Sequence, residues 1–425
     1  LCVSPLVATV NFINSQIAFA IQSPRLFAQT SRWTAGHCYR EAHRWNAAYP
    51  LLVTGPLAIQ LFGYLLFCGP MWLYMFFRLC MFVVFLAPLW PKLVWWYLTS
   101  PRIIKNISYG EEARNLLDVY VPQCVKKHRG PHAFGQSVGW CESEGKPVVV
   151  YVTGGAWMIG YKAWGGLVCK ELAEDHRILA VALDYRNFPQ GTVDDMLQDV
   201  DAAMLWVFEH VHRFGGDPNR IILVGQSAGA HLCSLAVLRQ MQLARSENSG
   251  SRWPVEKLSG FVGVSGVYDM KAAVGLMHAR GLHRTLFHRI VGGESELERV
   301  SPIHFARTEL ASVVSRGPLP RIPFHFIHGS KDKSAPPSES TAFAAALRDL
   351  GLSADVTMYQ GRTHTDIIIE DIVRGDRAGP LLVSTLAELL HTPRQPYYCA
   401  KGEKEPVKLA VPRSLLEAAR RVNPF

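Results

Sequence analysis

Short, largely apolar runs separated by stretches of helical periodicity constrain this chain more than any other feature. Pro147–Val152 reads PVVVYV, a continuous apolar run. A strand with one wet face alternates apolar and polar residues and one covered on both faces does not, so this run predicts a strand inside a covered sheet. Leu116–Val121, Ile178–Leu183, Arg220–Val224, Phe261–Val264, Pro323–Ile327 and Val356–Tyr359 are further short strand candidates. Between two of them lies a helix with its own start and stop signals. Thr192 reads as its N-cap with Asp194 and Asp195 in the first turn, Val193, Met196, Leu197, Val200, Met204, Val207 and Val211 recur at helical spacing, and Gly215-Gly216 ends it. Strands alternating with helices predict a parallel α/β sheet over residues 101–391. The polar, glycine-bearing segments Gln123–Lys146 and Ser246–Glu256 read as surface loops.

The 100 residues before this domain differ in kind. Leu51–Cys68 holds no charge and Met71–Trp90 holds only Arg78. Both stretches are long enough to span a bilayer, and Gly69-Pro70 between them suggests a membrane hairpin over residues 49–100. A charge near the middle of a span costs about 2.5–3.5 kcal/mol, so Arg78 leaves a re-entrant or interfacial arrangement open, as does a greasy lid on a soluble domain. Residues 1–48 form a leader whose four arginines (Arg25, Arg32, Arg40, Arg44) face a single acid, Glu41, a composition resembling a transit peptide. The chain starts at Leu1, so it reads as a fragment or a processed form. Residues 392–425 form a Pro- and Lys-containing tail with one short amphipathic piece, Pro412–Val422.

Four motifs carry chemistry, each directly after an expected strand. Gly225-Gln226-Ser227-Ala228-Gly229 follows Arg220–Val224 and precedes the helical stretch Ala230–Arg239. Such a strand–turn–helix presents a serine hydroxyl at the carboxyl end of a sheet, making Ser227 the candidate nucleophile. Thr153-Gly154-Gly155-Ala156-Trp157 follows Pro147–Val152. Acyl transfer develops negative charge on a carbonyl oxygen, and the backbone amides of Gly154, Gly155 and Ala228 are the expected oxyanion donors. His328-Gly329-Ser330-Lys331-Asp332 and Gly361-Arg362-Thr363-His364 follow the last two strands. The order Ser, Asp, His belongs to the α/β-hydrolase fold, with His364 as general base and Asp332 orienting it. Asp269, after Phe261–Val264, is a rival acid; His231, His325 and His328 read as structural.

Composition narrows the classes further. The nine cysteines are scattered singly with no CxxC pair, which argues against metal ligation and a disulfide framework and for reduced thiols in a cytosol-facing domain. A formal charge of +9 without blocks of like charge or an aromatic-basic pattern favours an anionic membrane face over nucleic acid. The chemistry expected needs no metal and no organic cofactor. Residues alone thus give a membrane-associated serine esterase.

The run Tyr151–Trp164 (YVTGGAWMIGYKAW), with Asp184–Thr192 (DYRNFPQGT) and Phe214–His231 (FGGDPNRIILVGQSAGAH), resembles the isoprenylcysteine methylesterases of plants and related eukaryotes. Asn115–Pro122 (NLLDVYVP), HGSKD, GRTHTD and the apolar segment from about residue 60 fit as well, so the resemblance covers roughly residues 60–380. Thr153 and Ala156 stand where lipase-like esterases carry the outer residues of His-Gly-Gly-Gly. The resemblance implies a membrane-bound esterase of the endoplasmic reticulum or Golgi. Its substrate would be the methyl ester of a C-terminal cysteine bearing a farnesyl or geranylgeranyl thioether. Another carboxylesterase, a lipase or an arylformamidase on the same fold is the nearest alternative. A non-catalytic receptor is a further one, although receptors on this fold typically lack a triad member and all three stand here.

Overall fold

The structure, a computed structural model, describes residues 71–123, 126–129, 138–141, 145–245, 250–374, 381–391 and 411–423, together with Ile59 and Gly63. The chain separates into two compact units. One is Leu1–Thr54 with Arg129–Val138, nearly all outside the described residues, and the other is Gly55–His128 with Gly139–Phe425.

The second unit is built on an eight-stranded sheet. Its strands are β1 (Ile103–Ser108), β2 (Leu116–Tyr120), β5 (Lys146–Val152), β6 (Leu179–Leu183), β7 (Gly216–Gln226), β8 (Leu258–Val264), β9 (Phe324–Gly329) and β10 (Ala354–Tyr359). The order is β1-β2-β6-β5-β7-β8-β9-β10, and β3 (Lys126–Arg129) and β4 (Val138–Cys141) form a separate two-stranded ribbon in the expected loop. From β6 to β10 every neighbouring pair is parallel, while β2 runs antiparallel to β6 and β1 antiparallel to β2. All seven expected strands are present. Strand β1 (IIKNIS) was not expected, because three polar residues in six dilute its apolar signal. It also contains Asn106, whose carboxamide oxygen accepts from Lys162 Nζ at 2.6 Å.

The uninterrupted apolar runs have a direct structural cause. Along β5, Val148, Val150 and Val152 point into one buried cluster, and Val149 and Tyr151 into another on the opposite face. Alternate residues of β6 and β7 divide in the same way, so both faces are dry. The first face is covered by helices including Val193–His210 and Ala228–Leu243. The second is covered by Gly166–Asp175 and Leu381–Leu389, and by helices from both ends of the described chain. In chain order these helices are α1 (Met71–Phe85), α2 (Trp90–Thr99), α3 (Gly166–Asp175), α4 (Val193–His210), α5 (Ala228–Leu243), α6 (Met270–Ala279), α7 (Arg284–Val291), α8 (Pro337–Asp349), α9 (Leu381–Leu389) and α10 (Arg413–Val422). Helix α4 starts and stops where its signals place it: the Asp195 carboxylate accepts the Thr192 N–H at 2.9 Å, and Gly215 takes a left-handed φ of 83° beyond the last turn.

The boundaries expected at residues 100 and 391 do not divide packed bodies among the described residues. Phe82, Leu86, Leu89 and Trp96 from the N-terminal side, and Leu416 and Ala419 from the tail, are buried in the same cluster as β5 and α3. No single helix among the described residues is long and apolar enough to cross a membrane. Helices α1 and α2 meet that test only together, bent by 74° at their break. Pro88 explains the break, since it has no N–H for the continuing ladder. The Leu51–Cys68 half of the expected hairpin lies outside the described residues apart from Ile59 and Gly63.

Arg78 finds its partners on the protein. Its guanidinium donates to the carbonyl oxygens of Val422 (Nε, 3.1 Å) and Asn423 (Nη2, 2.8 Å), at the C-terminal end of α10. A cation there satisfies unpaired carbonyls and complements the helix dipole.

Candidate active site

Strand β7 ends at Gln226 and α5 begins at Ala228, so Ser227 is the whole turn. Its backbone is forced to φ 53°, ψ −120°, a region a non-glycine residue occupies only when its surroundings insist. They do so through close approach. A Cβ on Gly229 would lie 2.2 Å from the Val152 carbonyl oxygen, so only glycine lets α5 start directly behind β5.

Three loops at the carboxyl ends of β7, β9 and β10 bring the expected residues together. Ser227 Oγ lies 2.9 Å from His364 Nε2, and His364 Nδ1 lies 2.7 Å from Asp332 Oδ2. Asp332 is buried, and its other oxygen accepts the backbone N–H groups of Ser334 (2.8 Å) and Ala335 (3.0 Å). Burial alone would raise its pKa. The facing His364 and the hydrogen bonds from both histidines outweigh burial and hold the carboxyl well below the usual carboxylate range. The rival Asp269 is elsewhere engaged: its Oδ1 caps α6 by accepting from Lys271 N and Ala272 N, each at 3.0 Å.

The oxyanion loop departs from expectation at one residue. The Gly154 N–H donates to Gln226 Oε1 at 3.0 Å, so this amide is taken inside the protein and is not available to a substrate oxygen. Gly154 is instead a close-approach position, since a Cβ there would come within 2.7 Å of Ser227 Cβ. Gly155 and Ala228 remain as candidate donors. Ala156, at φ 48°, is a third candidate amide in this loop, one the sequence did not single out. None of the three amides has a protein acceptor among the described residues. The length of the Gln226 side chain decides which amide faces inward, and no spacing rule in the sequence encodes that.

The motifs around this loop brace it. Asp118 of NLLDVYVP pairs with Lys162 of GYKAW at 2.8 Å, both fully buried, and Tyr97 on α2 donates to the other Asp118 oxygen at 2.6 Å. Burial lowers the Lys162 pKa, but the Asp118 charge prevails and the net shift is upward. Asp184 of DYRNFPQGT accepts the Lys162 N–H at 2.7 Å, and Asn187 donates to the Gly160 carbonyl at 2.7 Å. Three segments far from it in sequence, at Tyr97, Asp118 and Asp184–Asn187, thereby brace the loop that carries Gly155 and Ala156.

Two histidines read as structural have distinct tasks. His231 accepts from Trp157 Nε1 at Nδ1 (3.1 Å) and donates from Nε2 to the Val300 carbonyl (2.7 Å), tying the oxyanion loop to α5. Burial pushes its pKa down to about 4, so the ring is neutral. His328 Nε2 lies 3.0 Å from Asp332 Oδ2 and 2.9 Å from the Ala335 carbonyl oxygen. Both neighbours are acceptors, so Nε2 carries the proton. Its Nδ1 lies 2.7 Å from Ser340 Oγ, which donates to it.

Residues 141–347 match the BD-FAE family model. The chain is 38% identical over 396 residues (93% of this chain, 87% of the relative) to a probable isoprenylcysteine alpha-carbonyl methylesterase of Oryza sativa subsp. japonica. It is 37% identical over 381 residues (89% of this chain, 83% of the relative) to an isoprenylcysteine alpha-carbonyl methylesterase of Arabidopsis thaliana. Among solved structures, esterase B from Lactobacillus rhamnosis superposes with a TM-score of 0.51 at 17% identity, covering 74% of this chain and 96% of that one, which shows a shared fold. A mostly parallel sheet, a strained serine between β7 and α5, and this degree of identity over nearly the whole chain lead to one conclusion: the protein is a carboxylic-ester hydrolase of the α/β-hydrolase fold and belongs to the isoprenylcysteine alpha-carbonyl methylesterase family.

Proposed function

We propose that this enzyme hydrolyses the carboxyl methyl ester of an isoprenylated C-terminal cysteine through an acyl-enzyme on Ser227. The observation that carries the mechanism is the unbroken line Ser227 Oγ, His364 Nε2, His364 Nδ1, Asp332 Oδ2 at 2.9 and 2.7 Å. Ser227 Oγ attacks the ester carbonyl carbon while His364 Nε2 takes its proton. The resulting oxyanion is held by the amides of Gly155, Ala156 and Ala228; loss of a single donor from such a hole costs about 2.7–4 kcal/mol. The bond to the methoxy oxygen then breaks, His364 returns the proton, and methanol leaves. A water molecule, giving a proton to the same histidine, attacks the acyl carbon; the bond to Ser227 Oγ breaks, His364 returns the proton to Oγ, and the product leaves as the carboxylate after losing its own proton to water. Asp332 stays ionised throughout, orienting His364 and stabilising its charged form.

The named activity of the relatives supports the substrate class. So does an exposed apolar surface on α1 and α2, where Leu73, Phe76, Phe77, Trp95 and Leu98 are all more than half exposed. An apolar patch of this kind marks a membrane or partner surface, and a prenyl thioether resides in a bilayer. The membrane we assign is that of the endoplasmic reticulum or Golgi, with the catalytic domain in the cytosol. Arg102 and Lys105 behind the apolar region and Arg32, Arg40 and Arg44 before it agree with that orientation.

Methanol release by purified protein from a farnesylcysteine methyl ester, compared with the same ester lacking the farnesyl group, tests the proposal. Faster turnover of the prenylated ester, abolished by Ser227→Ala, is expected. Equal rates on the two esters overturn the substrate; retained activity in Ser227→Ala overturns the mechanism.

A further inference from the structure

Both chain neighbours of His364 are tied to the C-terminal helix. On the N-terminal side, the Thr363 N–H donates to Asp366 Oδ2 at 2.8 Å. That same oxygen accepts from Arg420 Nη2 of α10, also at 2.8 Å. On the C-terminal side, Asn423 Nδ2 donates to Thr365 Oγ1 at 2.8 Å. Arg420 Nε lies a further 3.0 Å from Glu370 Oε2 on the short helix that follows the loop. The carboxyl groups of Asp366 and Glu370 are wholly buried, and Arg420 is the cation beside both on their solvent side, with Arg374 a further 4.0 Å from Glu370 Oε2.

The helix is itself held in place along one face and at its C-terminal end. Leu416 and Ala419 are buried against the second face of the sheet, and Arg78 of α1 grips the carbonyls of Val422 and Asn423. The ten-residue loop 360–369 between β10 and the helix at Glu370 is held near its start by Ser330 and Lys331, through the Gly361 N–H and the Arg362 carbonyl, each at 2.9 Å; the residues on either side of His364 are the ones that α10 holds. His364 must keep two hydrogen bonds of 2.7–2.9 Å at once, and displacements near 1 Å at such a site cost about a hundredfold in rate.

We propose that α10 belongs to the catalytic apparatus, with Arg420 and Asn423 acting as positioning residues that set the His364 loop. The helix touches neither substrate nor reacting atoms; it works through Asp366 and Thr365. The inference rests on Ser227 and His364 being nucleophile and base, but not on any particular ester.

The test uses the full chain and two readouts independent of the prenyl group: the rate of labelling by a fluorophosphonate, and kcat and KM on a short-chain aryl ester. Arg420→Ala is expected to slow labelling and lower kcat about tenfold to a hundredfold with KM nearly unchanged, and Arg420→Lys, which keeps one ion pair, to recover part of it. Asn423→Ala should fall in the same direction. Arg413→Ala, on the exposed face of the same helix and paired among the described residues with Glu417 alone, should match wild type. If Arg420→Ala does not fold, Asn423→Ala decides alone. Wild-type labelling rates in folded Arg420→Ala or Asn423→Ala, with only a lowered melting temperature, overturn the proposal. Failure of the wild type itself to label, or labelling of Ser227→Ala, would instead refute the nucleophile assignment on which it rests.

Discussion

His328 Nε2 lies 3.0 Å from Asp332 Oδ2, the same oxygen that His364 Nδ1 approaches to 2.7 Å. One carboxylate oxygen thus serves two imidazoles, the first from the strand β9 that also delivers the aspartate and the second from the loop after β10. His328 is fully buried and pinned by Ser340 and the Ala335 carbonyl, so it fixes the direction in which Asp332 presents its charge. His328→Ala is expected to lower kcat about tenfold, and to destabilise by about 2–3 kcal/mol because a buried polar partner and its volume are lost together. Steady-state kinetics with thermal unfolding checks both, and unchanged kcat in the folded variant would dismiss the role.

The two aspartates are expected to behave in opposite ways. Asp332→Asn should lower kcat by about ten-thousand-fold, since the amide favours the wrong tautomer of His364. Asp269→Asn keeps a side-chain oxygen to cap α6 and should leave activity within a factor of two. Comparing both variants on one ester separates them; a reversed result would make Asp269 the acid.

Glu370 gives a pH signature in stability. Burial first, and then the adjacent Asp366 charge, push its pKa up to about 8 from the ordinary 4.5. A carboxyl whose folded pKa is raised binds its proton more tightly in the native state. Its contribution is therefore fully present below about 4.5 and is lost as pH rises through about 8. Glu370→Gln removes the titration while keeping a donor towards Asp366. The variant should match wild type in melting temperature near pH 5 and exceed it near pH 9. Thermal unfolding at the two pH values reads this directly, and an equal difference at both would count against it.

The exposed face of α1 predicts lipid binding. Leu73, Phe76 and Phe77 lie at positions i, i+3 and i+4 and are 55–62% exposed. Replacing all three by serine removes apolar area worth about 1 kcal/mol or more per side chain. Co-sedimentation with phosphatidylserine-containing vesicles should therefore fall at least tenfold, while hydrolysis of a soluble aryl ester stays within a factor of two. Undiminished sedimentation would assign membrane contact to another part of the chain.

What the sequence determined by itself is everything local. PVVVYV is a strand covered on both faces because no alternation survives when both sides are dry, and GQSAG is a nucleophile turn because glycines on either side of the serine leave room for the backbone that passes close to them. The loops carrying Asp332 and His364 could be placed because each directly follows a strand, and a parallel sheet gathers the carboxyl ends of its strands at one edge. Tertiary structure decided what depends on partners distant in the chain. Arg78 sits in an apolar stretch and reads as an obstacle to a membrane span, until Asn423, 345 residues away, supplies a carbonyl for it. The Gly154 amide reads as an oxyanion donor until the Gln226 side chain folds back 72 residues to claim it. Arg420 is one basic residue in a tail until the loop around His364 comes to rest against it. Hydrophobic periodicity and turn chemistry act between neighbours and leave a pattern in sequence. A buried charge finds its partner only when the core has already brought the two together, and its spacing along the chain carries no trace of that meeting.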